Sequence, residues 1–196
     1  MKTNLKLSFI LILSFNALFI GCSAESNLVR TEADSIIPGK TTYNEIIQRF
    51  GEPDESRIGI ATITFEPVKV VAYSWDMGIF DVLTGDLAFR SDGFCFFKDI
   101  LIGYKFQNEN VDSIEQRIPK IEQIIKGETT FTEIIKLFGN PNEMYIYPLI
   151  SGKDRKEIVY SYSKTKFMQF YSKRLAISLD RNDVAIDVVY NSSGEK

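Results

Sequence analysis

The sequence predicts an α+β protein of two tandem repeats, each with two short helices packed on a three- or four-stranded antiparallel sheet. Three observations predict it: a long internal repeat, a capped apolar stripe of helical period in each copy, and β-rich runs after each stripe. Residues 36–53 read IIPGKTTYNEIIQRFGEP and return at 124–141 as IIKGETTFTEIIKLFGNP, with 11 of 18 positions identical at an offset of 88. Weaker echoes keep the same order. Ala72-Tyr73-Ser74-Trp75 answers Val159-Tyr160-Ser161-Tyr162, and Leu87-Ala88-Phe89 answers Leu175-Ala176-Ile177. Self-similarity at a fixed spacing marks a repeated structural unit. The units fall at 36–116 and 117–196, after a signal-like segment 1–21 and a tether 22–35.

Within each copy the elements follow from the residues. Thr42 with Glu45, and Thr130 with Glu133, have the spacing of a capping box, in which each side chain satisfies a free N–H of the other's backbone. Tyr43, Ile46, Ile47 and Phe50 then fall on one helical face, as do Phe131, Ile134, Ile135 and Phe138. Gly51 and Gly139 stop these helices, and Pro53 and Pro141 prevent their resumption. Gly39 and Gly127 allow a tight turn out of a short preceding helix. Strands are expected at 58–65, 68–75, 86–91 and 94–106, with Asp92-Gly93 as a hairpin turn. The second copy places them at 143–148, 157–163, 173–179 and 184–190. Helices on one face of such a sheet make an α+β layer.

The N-terminus follows the secretory plan, with Lys2 and Lys6 ahead of the apolar run 7–20 and then Gly21-Cys22. That run is shorter than the roughly 20 residues a membrane-spanning helix needs. Removing residues 1–21 would leave 175 residues, enough for one large or two small domains, with a net charge of −5. No basic excess points to nucleic acid. The chain has no histidine and two cysteines, Cys22 and Cys95. Ser-His-Asp and Cys-His catalysis, His-containing zinc sites and four-thiolate metal sites are thereby excluded.

Candidate chemistry is correspondingly sparse. Gly39-Lys40-Thr41 resembles the end of a phosphate-binding loop, but Asp34 stands where that loop needs glycine, and Glu128 replaces the lysine in the second copy. Asp76 and Asp81, Asp180 and Asp183, and the cluster Glu52, Asp54 and Glu55 read as solvated turn acids. Asp180-x-Asn182-Asp183 lacks the glycine and terminal glutamate of a calcium loop. No catalytic residue, metal or cofactor is expected. Tyr73 and Trp75 share one strand face, as do Tyr160 and Tyr162. They are either sheet core beneath the helices or an aromatic binding face. Ile79 and Phe80, in the apolar stretch 77–83, are candidate partner contacts if that stretch is a loop, or sheet residues if it is not.

Phe19-Ile20-Gly21-Cys22 resembles the bacterial lipobox, in which the cysteine is acylated after cleavage. The resemblance implies a lipid-anchored, palmitate-bearing protein of the cell envelope. Ser23 after the cysteine implies an outer-membrane address, on the periplasmic face. Several acyl chains would make the anchoring stable. Cys95 would then have no partner within the chain and reads as a buried, inert thiol. Asn191-Ser192-Ser193 matches a glycosylation acceptor but reads here as a frayed C-terminus.

The segment Gly-x-Thr-Thr-x-x-Glu-Ile-Ile-x-x-Phe-Gly-x-Pro resembles the signature of the SmpA/OmlA, or BamE-like, lipoproteins. Two units in tandem resemble the β-lactamase inhibitor protein fold, although this chain lacks that protein's disulfide cysteines. The first resemblance implies a non-enzymatic scaffold or accessory factor that binds envelope proteins, with outer-membrane β-barrel assembly as its setting. The second implies an inhibitor or sequestering module for a secreted enzyme. Fold alone does not decide between them.

Overall fold

The computed structural model describes residues 35–75, 90–106, 118–166 and 169–194. It replaces the two separate small sheets expected from the repeat with one eight-stranded antiparallel sheet in sequential order. The strands are β1 (Glu55–Ile60), β2 (Pro67–Trp75), β3 (Arg90–Phe97), β4 (Ile100–Lys105), β5 (Glu143–Ile146), β6 (Lys156–Lys166), β7 (Gln169–Leu179) and β8 (Ala185–Ser193). The described residues contain two short α-helices, α1 (Tyr43–Phe50) and α2 (Phe131–Phe138). Among the described residues, neither copy has the expected second α-helix. Pro38 interrupts the first position with a turn, and Ile118–Gln123 at the second is a 3-10 segment containing Pro119.

The sheet is continuous because β4 pairs with β5, Gly103 opposite Tyr145 and Lys105 opposite Glu143. A sheet ending at β4 would leave a row of open N–H and C=O groups, which this pairing satisfies. The repeat lies in locally determined helix caps, and those say nothing about where a sheet ends.

The caps form in both copies. Glu45 N–H donates to Thr42 Oγ1, and Thr42 N–H donates to Glu45 Oε2 at 2.7 Å. Thr130 and Glu133 repeat this, with Thr130 N–H 2.8 Å from Glu133 Oε2. Gly51 and Gly139 end the helices with φ of 79° and 71°, a region where a side chain would be strained. Helices of eight residues are marginal alone, so docking must hold them. Tyr43 N–H donates to Asp99 O and Leu101 N–H to Thr41 O; Phe131 N–H donates to Asp183 O and Ala185 N–H to Thr129 O. Each helix start is thus laced to the first residues of β4 or β8.

Both helices cover the same face of the sheet. Beneath α1, Ile46 packs with Val71, Phe94, Phe96, Leu101 and Tyr104. Beneath α2, Ile134 and Phe138 pack with Ile158, Tyr160, Leu175, Ile177 and Leu179. Met144 touches both clusters, so the core runs across the β4–β5 junction.

One predicted turn is displaced. Asp92 and Gly93 lie inside β3, and the hairpin turn is Lys98-Asp99, with φ of 50° and 63°. Two successive positive φ angles are what a two-residue hairpin loop requires. The placement puts Phe94 and Phe96 in the core, each 1% exposed, which a turn at Asp92 would forbid. Residues 191–193 are also not frayed. They pair in β8 with residues 172–174 of β7.

Candidate functional site

Alternation along each strand gives the sheet two faces of different chemistry. Tyr73 and Tyr160 point to the helix side. Tyr73 OH donates to Gly51 O at 2.9 Å and Tyr160 OH to Gly139 O at 2.8 Å. Each tyrosine ties a strand to the carbonyl that ends its helix. Burial pushes the Tyr73 phenol up to about 12. These two positions are core, and they leave the neighbouring strand positions to form the opposite face, which carries no helix among the described residues.

That open face divides in two. On the β1–β4 side it is apolar. Ala61, Val68 and Ile102 pack with Val70, Cys95, Phe97 and Leu149. Leu149 lies against Gly103, where an added Cβ would stand 2.7 Å from both Leu149 Cδ1 and Tyr145 Cδ1. Thr64 Oγ1 donates to Pro148 O at 3.0 Å, fastening the β1–β2 turn to the β5–β6 loop. Burial raises the Cys95 thiol to about 11, so little thiolate exists at neutral pH and the group is unreactive.

On the β4–β7 side the open face is polar. Glu143 is 5% exposed at the centre of this region. Ser161 Oγ donates to its Oε1 at 2.7 Å, and Tyr145 OH donates to its Oε2 at 2.7 Å. Lys105 Nζ, on the strand opposite, lies 3.3 Å from Oε1. Burial first, and then the Glu143 charge, push the Tyr145 phenol well above its ordinary value, so it stays a hydrogen-bond donor. One strand further, Arg174 Nη2 donates to Glu157 Oε1 at 2.9 Å, both side chains partly exposed.

The arrangement is a fixed display of charge. A carboxylate whose oxygens already accept two hydroxyls and a cation is an orienting acceptor, and it is poorly placed to take a proton from a substrate. Ammonium, phenol, carboxylate and guanidinium groups sit on adjacent strands, with the Lys105 and Arg174 side chains partly exposed and Glu143 buried. Among the described residues, no group of three or more acidic or cysteine side chains could hold a metal ion.

The residues that the sequence alone singles out fall elsewhere. Gly39, Thr42, Glu45, Gly51, Gly127, Thr130, Glu133 and Gly139 shape the two helix ends, on the far side of the sheet from the polar cluster. Cys22, Ile79 and Phe80 lie outside the described residues, as do Asp76 and Asp81. Glu52, Asp54 and Glu55 are exposed after α1. Asp180 Oδ1 accepts from Val184 N–H and Asn182 N–H, which in that order hold its carboxyl below the usual range and build a turn. Lys105, Glu143, Tyr145, Glu157 and Arg174 were not singled out by sequence. Their signal was available in the alternation of Glu143, Tyr145 with Met144, Ile146, and of Glu157, Ser161 with Ile158, Tyr160.

No protein-family model matches this chain, and no curated protein does. A solved structure from Streptococcus mutans, provisionally described as a beta-lactamase inhibitor protein, is similar at 16% identity and TM-score 0.47. The match covers 87% of this chain and 99% of that one. At that level the likeness carries no functional inference. The SmpA/OmlA resemblance of the helix motif finds no counterpart in these comparisons.

Proposed function

We propose that this chain is a non-enzymatic, membrane-anchored protein-binding module that captures a folded envelope or secreted protein on the open face of its sheet, as an inhibitor or sequestering protein does. The observation that carries the reading is the polar cluster around Glu143. Tyrosine and arginine are frequent anchors of protein interfaces, and rigid strands reduce the entropy cost of binding. Charges of both signs on neighbouring strands supply electrostatic complementarity and suppress wrong partners. Acylation of Cys22 would hold the chain at the envelope, on the periplasmic face of the outer membrane. A scaffold role in β-barrel assembly rests on the sequence resemblance alone, and no feature of the open face favours it.

The test is crosslinking capture by the tagged full chain in its own cells, beside a Lys105→Glu/Arg174→Glu variant. Truncating or reversing anchor residues costs about 2 kcal/mol or more, so recovery of the partner should fall at least about tenfold. A captured enzyme should lose activity in one-to-one titration. Equal recovery by wild type and a folded variant would overturn the open-face reading. Palmitate labelling tests the anchor, and label retained by Cys22→Ser would contradict it.

A further inference from the structure

We infer that the β1 edge of the sheet pairs with the β1 edge of a second copy of this chain, antiparallel and centred on Gly59, joining two sheets into one. Three observations lead there. The first is an apolar edge that is exposed among the described residues. Ile58 and Ile60 are 71% and 58% exposed, and Ile63 and Phe65 in the following turn are 51% and 78% exposed. Natural edge strands are usually blunted by lysine, proline or a bulge. β1 carries the charged Glu55 and Arg57 but no lysine, proline or bulge, and its pairing with β2 is regular from Glu55 to Ile60.

The second is the direction of the backbone. Ala61 N–H donates to Glu66 O, continuing the β1–β2 register. Ala61, Gly59 and Arg57 therefore turn their backbone groups toward β2. By alternation, Ser56, Ile58 and Ile60 turn theirs outward.

The third is self-complementarity. A two-fold axis at Gly59 sets Ile58 opposite Ile60 of the second copy, and Ile60 opposite its Ile58. All four present outward N–H and C=O groups. On the other face, Arg57 falls opposite Ala61 of the second copy, whose small side chain leaves the guanidinium facing Glu66 on the next strand. The same contact occurs twice. A centre at Arg57 would oppose two arginines, and like charges directly opposite are destabilising. A centre at Ser56 would set Ile58 against Asp54, an apolar side chain against a charge. A centre at Ile58 would set Ile60 against Ser56, and a centre at Ile60 would set Ile58 against Thr62, an apolar side chain against a hydroxyl in each case. The Gly59 register, which sets isoleucine against isoleucine at both outward positions, is therefore selected. The other edge does not offer this. β8 exposes one large apolar side chain, Val189, among the polar Asp187, Asn191, Ser192 and Ser193, and Asp187 is paired with Lys126 at 2.6 Å.

An edge contact this short belongs to the weak class burying under about 1,200 Å², so dimerisation should depend on protein concentration. Sedimentation velocity of the full chain should show that dependence, and Ile60→Lys should abolish it. A second variant locates the register without relying on loss. At Gly59 an added Cβ meets only Val70 and Val68 methyl carbons at 3.8 and 3.9 Å, so Gly59→Cys fits. The Gly59 pair is a non-hydrogen-bonded pair with Cα atoms about 4.5 Å apart, within disulfide range. Mild oxidation of Gly59→Cys should trap a dimer on a non-reducing gel. Arg57→Cys, far from its own copy in this register, should not, and the unsubstituted chain controls for Cys22 and Cys95. A chain that stays monomeric and gives no Gly59→Cys dimer would overturn the inference. So would Arg57→Cys crosslinking as readily as Gly59→Cys.

Discussion

The helices α1 and α2 are near copies, while the stretches of sheet beside them present different surfaces. Both helices have a threonine–glutamate capping box, a left-handed glycine end, a tyrosine bound to that glycine's carbonyl, and a start laced to the strand that closes their half. Yet α1 buries Ile46 completely and leaves Phe50 half-buried, whereas α2 buries both Ile134 and Phe138. On the open face, the β1–β4 side is apolar and the β5–β7 side carries the Glu143 cluster. At the margins, β1 exposes two isoleucines, whereas β8 exposes mainly polar side chains beside the single valine Val189. The parts that recur are those that fix a short helix on a sheet. The parts that differ include the packing of Phe50 and Phe138, the two regions of the open face and the two sheet edges.

The comparison can be broken first at its most unequal point. Phe138→Ala should cost about 3–5 kcal/mol, the range for a fully buried phenylalanine, and Phe50→Ala about half as much. Urea unfolding of the two variants measures this, and equal losses would contradict the asymmetry. Gly103→Ala tests the junction of the halves. Its Cβ would clash with Leu149 and Tyr145 side chains and lie 3.1 Å from Met144 O. Overpacking of this kind costs about 1–3 kcal/mol, visible as a lowered Tm.

Smaller effects should sharpen the equivalence of the helices. Tyr73→Phe and Tyr160→Phe each remove one hydroxyl–carbonyl bond, an expected loss of about 1 kcal/mol in each half. Thr42→Ala and Thr130→Ala should likewise each cost about 1 kcal/mol. A cap that mattered in only one half would show that the repeat has diverged there.

The smallest effect is in pH. Glu45 and Glu133 are held below the ordinary glutamate value of 4.5, first by the N-cap N–H and then by the threonine hydroxyl. A depressed carboxyl stabilises above its unfolded pKa and loses that contribution as pH falls through its folded value. The Tm of the wild type should therefore fall as pH drops below 4.5, and each threonine-to-alanine variant should flatten that fall. A Tm that rises on acidification over that range would contradict the cap assignment.

How much of this was legible in the sequence follows from range. The caps, stripes and glycine stops were legible because each is settled within a few residues. Thr42, Glu45 and Gly51 interact with their own helix, and so do Thr130, Glu133 and Gly139. The join of β4 to β5 was not legible, because Lys105 meets Glu143 only after a long excursion through α2. The turn at Asp92-Gly93 was a reasonable local reading, overruled by the burial of Phe94 and Phe96. The open-face cluster was missed for a related reason. Glu143, Ser161 and Arg174 lie on three different strands and become one site only once the strand order is known.

The central claim is that the face away from the helices is the one that meets a partner. A photoreactive benzoylphenylalanine placed at Lys105, and in a second strain at Gln48 on the exposed side of α1, tests it in cells. The account predicts a discrete partner crosslink from position 105 and none from position 48. A crosslink from position 48 alone, or equal crosslinks from both, would contradict it.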